Sequence, residues 1–373
     1  MATADYSDDP RIVLTLDAGG TSLRFSAVRG QRLIGLAVVL PAHGDYLDRC
    51  LANITEGFTQ IQRHCPEPPV ALSFAFPGPA DYPNGIIGDL GNLPAFRGGV
   101  AVGPMLEEQF GAPVFLNNDG DLFAYGEAIA GFLPWTNGLL ERAGSPKRYR
   151  NLLGLTLGSG FGGGIVRAGE LFTGDNSLAG EVWLLRHRLD PRMNAEEGAS
   201  IRAVRRVYAE QAGIAFEQAP EPKTIFEIGT GAHPGHQAAA REAFRQLGQV
   251  VGDALAEALT LVDGLAVIGG GVAGAWPLFL PALMAELNGA YVGPAGDTMR
   301  RLSASAFNLD DPAQRETFLR GETREIPVPG TERKVRYDPL QRIGVGLTRL
   351  GTSEAVAIGA YAFALQELDR EHR

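Results

Sequence analysis

The sequence predicts an α/β protein built of two related lobes, and three observations point there. The glycine-punctuated segment LTLDAGGTSLRFSAVRG (14–30) has an echo in LTLGSGFGGGIVRAG (155–169), each reading as apolar strand, small-residue turn and returning strand. Apolar runs of strand length alternate with longer stretches of helical spacing. The 373 residues correspond to two domains at roughly 150 residues each. Hydrophobic residues make up 45%, ample for a core. Glycine is in excess, 49 residues or about 13%, against roughly 7% on average. With no Gly-X-Y period, that excess belongs to particular turns rather than to a collagen-like or low-complexity chain.

Residues 11–17 (RIVLTLD) form a β-branched apolar run closed by Asp17 and the Gly19-Gly20 pair, and 23–29 and 32–40 read as further strands. Tyr46, Leu47, Leu51, Ile54, Phe58 and Ile61 give helical spacing over 45–64. The run 70–76 is a buried strand ended by Pro77-Gly78-Pro79, and a Gly/Pro-rich loop extends to about 100. A short helix (103–110), a strand (113–117) and a helix (about 120–131) follow. Residues 134–150, with proline, glycine and four basic residues, read as a surface insertion. A strand at 151–157 leads into the cluster Gly158–Gly164 and a strand at 164–167. Helices are expected at 196–212 and 236–262, a strand at 265–268, then Gly269-Gly270-Gly271 and a helix at 275–287. Residues 294–340 read as polar and irregular, and a last helix spans about 353–369.

The net charge of -10 argues against nucleic-acid binding, which wants a basic face. Two cysteines, Cys50 and Cys65, exclude a disulfide framework and suit a reducing compartment. With a polar N-terminus and no membrane span, the expected location is cytoplasmic. Only three lysines occur, Lys147, Lys223 and Lys334, none after a glycine, so a Walker A loop is excluded. Nucleotide chemistry here must rest on backbone amides, hydroxyls and a metal ion.

Four motifs carry chemical potential. Asp17-Ala18-Gly19-Gly20-Thr21 suits a phosphate cradle: glycines let amides approach phosphate oxygens, Thr21 can donate, and Asp17 can hold hydrated Mg²⁺. An ordinary hairpin with a structural Asp is the alternative. Gly158-Ser159-Gly160 through Gly164 contains a literal Gly-x-Gly-x-x-Gly, but a dinucleotide fingerprint must open a helix, and IVRAGELF reads as strand. Gly269, Gly271 and Gly274 match a second time, without a following βαβ strand. Asn117-Asn118-Asp119-Gly120-Asp121 ends a buried strand and opens a helix, a place for a general base or for plain helix capping. Glu181 and the pair Glu196-Glu197 have only their company to recommend them.

Taken together, these elements resemble the ROK family of sugar kinases and sugar-responsive repressors, within the actin-like, hexokinase-like ATPase superfamily, over about 11–131 and 151–290 and the C-terminal helix. The resemblance implies two actin-like (ribonuclease H-like) α/β lobes with mixed sheets, flanking helices and a cleft between them. They would comprise 1–118, with helix 353–373 packing back on it, and 119–352, with insertions at about 134–150 and 294–340. It implies ATP- and Mg²⁺-dependent phosphorylation of a hexose hydroxyl, the 6-hydroxyl in glucokinase members. Asp119 would be the general base; Gly126-Glu127 closes the same family segment. Asn118, Glu181, Glu196, Gly78 and Asn92 would hold the sugar. Asp17, Gly19, Gly20, Thr21, Gly158, Ser159, Gly160, Gly270 and Gly271 would hold ATP, Asp17 also meeting Mg²⁺ through water. A homodimer is implied by family analogy.

Two departures stand out. Many members carry a structural zinc held by one His and three Cys, but no Cys lies beyond Cys65, so no structural zinc of that kind is expected. Where the family has a sugar-contacting, zinc-ligating His, this chain has Leu184; His187 is the candidate substitute, and Trp183, Leu184 and Leu185 would replace the zinc knot by packing. Family repressors carry an N-terminal winged helix-turn-helix, for which a first strand near residue 11 leaves no room. A sugar-responsive regulator and a non-catalytic sugar-binding protein are the rival readings, and an NAD dehydrogenase the weakest.

Overall fold

The computed structural model describes residues 6–18, 21–76, 78, 80–88 and 94–371. The chain divides into two compact units, one of residues 1–131, 164–180 and 349–373, the other of 132–163 and 181–348.

The first unit opens with β1 (Val13–Ala18), β2 (Ser22–Arg29) and β3 (Arg32–Pro41), then α1 (Leu47–His64) and β4 (Ala71–Ala75). Small strands β5 (Ala80–Asp81), β6 (Ile86–Ile87) and β7 (Val100–Ala101) precede α2 (Val102–Phe110), β8 (Val114–Asn117) and α3 (Asp119–Ile129). The main sheet runs β3-β2-β1-β4-β8, antiparallel across the β1–β2–β3 meander and parallel across β1, β4 and β8. Apolar α1 residues Ile54 and Phe58 are buried on it, Phe58 meeting Phe25 edge-on at 5.1 Å and Phe74 at 5.7 Å.

Onward come α4 (Phe132–Arg142), β9 (Leu152–Leu157), β10 (Phe161–Arg167) and β11 (Glu170–Leu171). The second unit continues with α5 (Ile201–Ala212), α6 (Pro222–Thr230), α7 (Gln237–Val262), β12 (Leu265–Gly269) and α8 (Trp276–Leu287). Two exposed hairpins, β13 (Ala290–Val292) with β14 (Thr298–Arg300) and β16 (Arg324–Pro327) with β17 (Lys334–Tyr337), flank β15 (Ser305–Asn308) and α9 (Pro312–Arg320). β18 (Arg342–Leu347) and α10 (Thr352–Glu371) close the chain.

The second main sheet runs β11-β10-β9-β12-β18-β15, with β9, β12, β18 and β15 parallel. Both sheets therefore place the first strand of a glycine-turn pair beside a parallel run. That common plan is what the echo between residues 14–30 and 155–169 expresses.

The structure adds the small strands β5–β7 to the loop that ends near residue 100 and the unanticipated helix α6, and starts α5 at Ile201 rather than at 196. Three further differences concern larger stretches. The first part of the stretch 134–150 lies in a helix, Phe132–Arg142, in which Phe132, Leu133, Thr136 and Leu140 are buried, while 143–150 is irregular. The stretch 294–340 holds β14, β15, α9 and a hairpin, and β18 lies just beyond it. Helix α3, given above to the second lobe, lies in the first unit with α10. There Gly126 and Gly359 let α3 and α10 touch backbone to backbone: a Cβ on Gly126 would collide with the Ala355 carbonyl, and one on Gly359 with that of Leu122. Among the described residues, no helix is long and apolar enough to cross a membrane.

Candidate active site

Asp17, the Asn118-Asp119 pair and the turns at Gly158–Gly160 and Gly270–Gly271 lie at the carboxyl ends of parallel strands, where open α/β sheets bind ligands. In the first unit, β1 delivers Asp17, half-buried beside Arg24 on β2 and Ala75 on β4. Burial raises its carboxyl above the usual Asp range, opposed by a hydrogen bond from Ser353 and the charge of Arg24. A carboxylate whose anionic form is penalised by burial is a fitting neighbour for a cation. Thr21 lies exposed at the start of the bend into β2, its carbonyl accepting from the Ala42 N–H at 3.1 Å. Gly19, Gly20 and Asn92 lie outside the described residues.

β8 delivers Asn118 and Asp119. Asn118 caps α3, its Oδ1 accepting from the Gly120 N–H at 2.8 Å, and Asp119 Oδ1 shares that donor at 2.9 Å. Capping and exposure thus fall to different residues: Asn118 is half-buried, whereas Asp119 is exposed at the first helical position. The helix N-terminus there favours its anionic form. Gly78 lies beside this pair, since a Cβ on it would be 3.0 Å from the Tyr82 hydroxyl and 3.6 Å from Asn118 Nδ2. Tyr82, which the sequence reading passed over, donates to the Phe76 carbonyl at 2.9 Å and lies 3.5 Å from Asn118 Nδ2. Its only sequence signal is an aromatic residue inside a Gly/Pro-rich loop.

The α3 helix is fixed from two sides. Glu127, fully buried, accepts the Arg349 and Leu350 N–H groups at 3.0 and 3.1 Å, tying α3 to the approach of α10. Gly164, on β10, packs directly on the first turn of α3; a Cβ there would lie 2.7 Å from Asp121 Cα and 2.9 Å from Ala124 Cβ.

In the second unit, the turn Gly158-Ser159-Gly160 follows β9, with the Gly158 N–H reaching the Gly160 carbonyl at 3.0 Å and Ser159 exposed at its tip. The chain leaves this turn as strand β10, not as a helix. Glu196 braces the turn: its Oε2 accepts the Phe161 N–H at 3.1 Å, while Oε1 takes Arg202 at 2.9 Å. After β12, Gly270 adopts φ +91° with its α-carbon against the Leu157 backbone, which excludes any side chain; Gly271 has open space around it. Glu181 receives the indole N–H of Trp183, and Leu184 is 60% exposed. His187 is committed elsewhere, its Nδ1 accepting the backbone N–H groups of Leu189 and Asp190 at 3.1 and 3.0 Å. Among the described residues, no group of three or more His, Cys, Asp or Glu side chains could hold a metal ion.

The model of the ROK family matches residues 13–313. Over 97% of this chain and 99% of the other, the fold superposes on the crystal structure of a glucokinase from Parabacteroides distasonis with a TM-score of 0.87 and 55% identity. An N-acetyl-D-glucosamine kinase of Vibrio cholerae is 32% identical over 189 residues, 50% of this chain and 56% of its own. The chain thus spans little more than half the length of the curated relatives it matches first. A ROK family glucokinase from Streptomyces griseus, solved with glucose and AMPPNP, shares the fold at 18% identity and a TM-score of 0.59, over 94% of this chain and 98% of that one.

Proposed function

This chain belongs to the ROK family, and from that premise we propose that it is an ATP-dependent sugar kinase transferring the γ-phosphate to a hexose hydroxyl, the 6-hydroxyl of glucose or a close relative. One observation carries the reading: the exposed Asp119 carboxylate stands at the N-terminus of an otherwise buried helix, directly after a parallel strand. Asp119 accepts the hydroxyl proton as that oxygen attacks phosphorus, so the nucleophile forms only as it is used. Asn118, Gly78, Glu181 and Glu196 are the candidate sugar contacts of this reading. The 55% identical glucokinase supports glucose, and the curated relatives make N-acetylglucosamine the first competitor.

The chemistry runs without a phosphate-binding lysine. In this reading the turn residues Ser159 and Gly160 and the segment Gly270–Gly271 offer backbone N–H groups to phosphate oxygens, a job glycine permits because no side chain shields the amide. Asp17 is the residue that would hold Mg²⁺, which supplies charge neutralisation on the transferring phosphates.

Sugar-stimulated ADP release should be measured across glucose, mannose, allose, fructose, N-acetylglucosamine and N-acetylmannosamine, with Asp119→Asn alongside. The expected result is turnover on at least one hexose and a loss of about 10²–10⁴-fold in kcat for the variant, the usual worth of a positioned base. Silence across the panel ends the kinase reading and favours a sugar-responsive regulator. Undiminished Asp119→Asn turnover ends the base assignment alone.

A further inference from the structure

Residues 185–199 hold only one short 3-10 turn, Ala195–Gly198, yet they are tightly closed. The Ala195 N–H meets the Leu185 carbonyl at 2.7 Å, the His187 N–H meets that of Met193 at 3.0 Å, and Arg186 bridges Asn194. At the centre is His187, 5% exposed. Because its Nδ1 accepts from both Leu189 and Asp190, the ring proton of the neutral form sits on Nε2. Burial and then the Arg206 guanidinium hold the ring below the ordinary imidazole range, so that neutral form is the one present at neutral pH.

The Nε2 edge of the ring abuts Gly198, where any Cβ would collide with it. Gly198 ends the 3-10 turn Ala195–Gly198, which also carries Glu196. Glu196 in turn holds the Phe161 N–H at the foot of the glycine turn. We propose that His187 is a positioning residue for that turn: it pins the loop, the loop and Gly198 set the height of Glu196, and Glu196 fixes where the Gly158–Gly160 amides point. The inference rests on the kinase reading for its catalytic consequence, though not for the chain of contacts.

His187 also lines a cavity of about 360 Å³, shared with Met193, Val207, Leu247 and Val250. That space lets the loop sag inward when the pin is lost, so removing the pin should displace Glu196 rather than leave it in place.

The test is amide hydrogen exchange of the peptide spanning 158–163, with steady-state kinetics on the same full-length proteins. In His187→Leu, which cannot accept the two N–H groups, exchange of that peptide should quicken by about tenfold. KM for ATP should rise by about 3- to 10-fold, the net worth of one hydrogen bond, with a smaller change in kcat. His187→Asn, whose Oδ1 can stand where Nδ1 does, should restore most of both. Gly198→Ala, which pushes the ring from the other side, should reproduce the leucine phenotype. Unchanged exchange over 158–163 in His187→Leu and Gly198→Ala overturns the proposal. Should His187→Leu fail to fold, Gly198→Ala decides alone. Absence of sugar-stimulated turnover in the wild type would end the kinase reading while leaving the exchange result to stand; normal wild-type turnover with unmoved exchange ends this inference only.

Discussion

Gly164→Ala offers the sharpest trial of how the proposed base is placed. The added methyl would lie 2.7 Å from Asp121 Cα and 2.9 Å from Ala124 Cβ, short of the 3.4 Å at which ordinary contact begins. The nearest clash is closer still, 2.4 Å from the Gly120 carbonyl oxygen, so the first turn of α3 must move by about 0.5–1.0 Å, since its backbone has no flexible end to swing aside. Overpacking of this kind costs about 1–3 kcal/mol, which lowers Tm by roughly 2–4 °C for each kcal/mol at this size. Asp119 and Asn118 ride on the displaced turn. Misplacements near 1 Å cost on the order of 10²-fold, so kcat/KM should fall by about 10- to 100-fold. The assay is coupled ADP release on the preferred hexose, with thermal denaturation in parallel. Gly274→Ala is the control, because nothing lies within 4 Å of its added methyl. A Gly164→Ala protein with wild-type Tm and kcat/KM within twofold of normal would refute the steric argument and free Gly164 for another explanation.

Asp17 predicts a pH signature. Burial raises its folded pKa above the unfolded value, so its favourable contribution is complete below the unfolded pKa and is lost as pH rises through the folded one. Asp17→Asn should accordingly raise Tm of the ligand-free protein at about pH 7 more than at about pH 3.5, while weakening Mg²⁺-dependent turnover; a larger gain at the acid end would contradict the assignment. Tyr82→Phe removes the donor to Phe76 and the neighbour of Asn118. It should cost about 0.5–1.5 kcal/mol by denaturant unfolding and raise the hexose KM with little change in kcat.

Much of the first unit was legible because its signals are local. A β-branched run closed by Asp17, and an apolar strand followed by Asn118 and two first-turn carboxylates, name their own boundaries. The second unit hid more. In β18 the pattern RIGVGL dilutes its apolar residues with two glycines, and Gly344 and Gly346 are small because Leu309 and Phe132 crowd them. In α4, Pro134 and nearby basic residues masked a 3–4 spacing of buried residues, although proline is tolerated in a helix's first turn. The brace from Glu196 to Phe161 joins residues 35 apart, and no local pattern announces such a bond. The glycine cluster 158–164 proved to be two devices laid end to end: a turn at Gly158–Gly160, and a close approach at Gly164 that owes nothing to nucleotide.

The backbone contact between α3 and α10 also constrains the order in which the chain can mature. All five strands of the first sheet, and α3 itself, have been made once residue 129 is complete. The helix that lies against Gly126 is made only with residues 352–371. A growing chain therefore carries an open, apolar groove along its proposed catalytic helix while more than two hundred further residues are added. That interval, rather than the finished fold, is when the first unit is most exposed to misassembly.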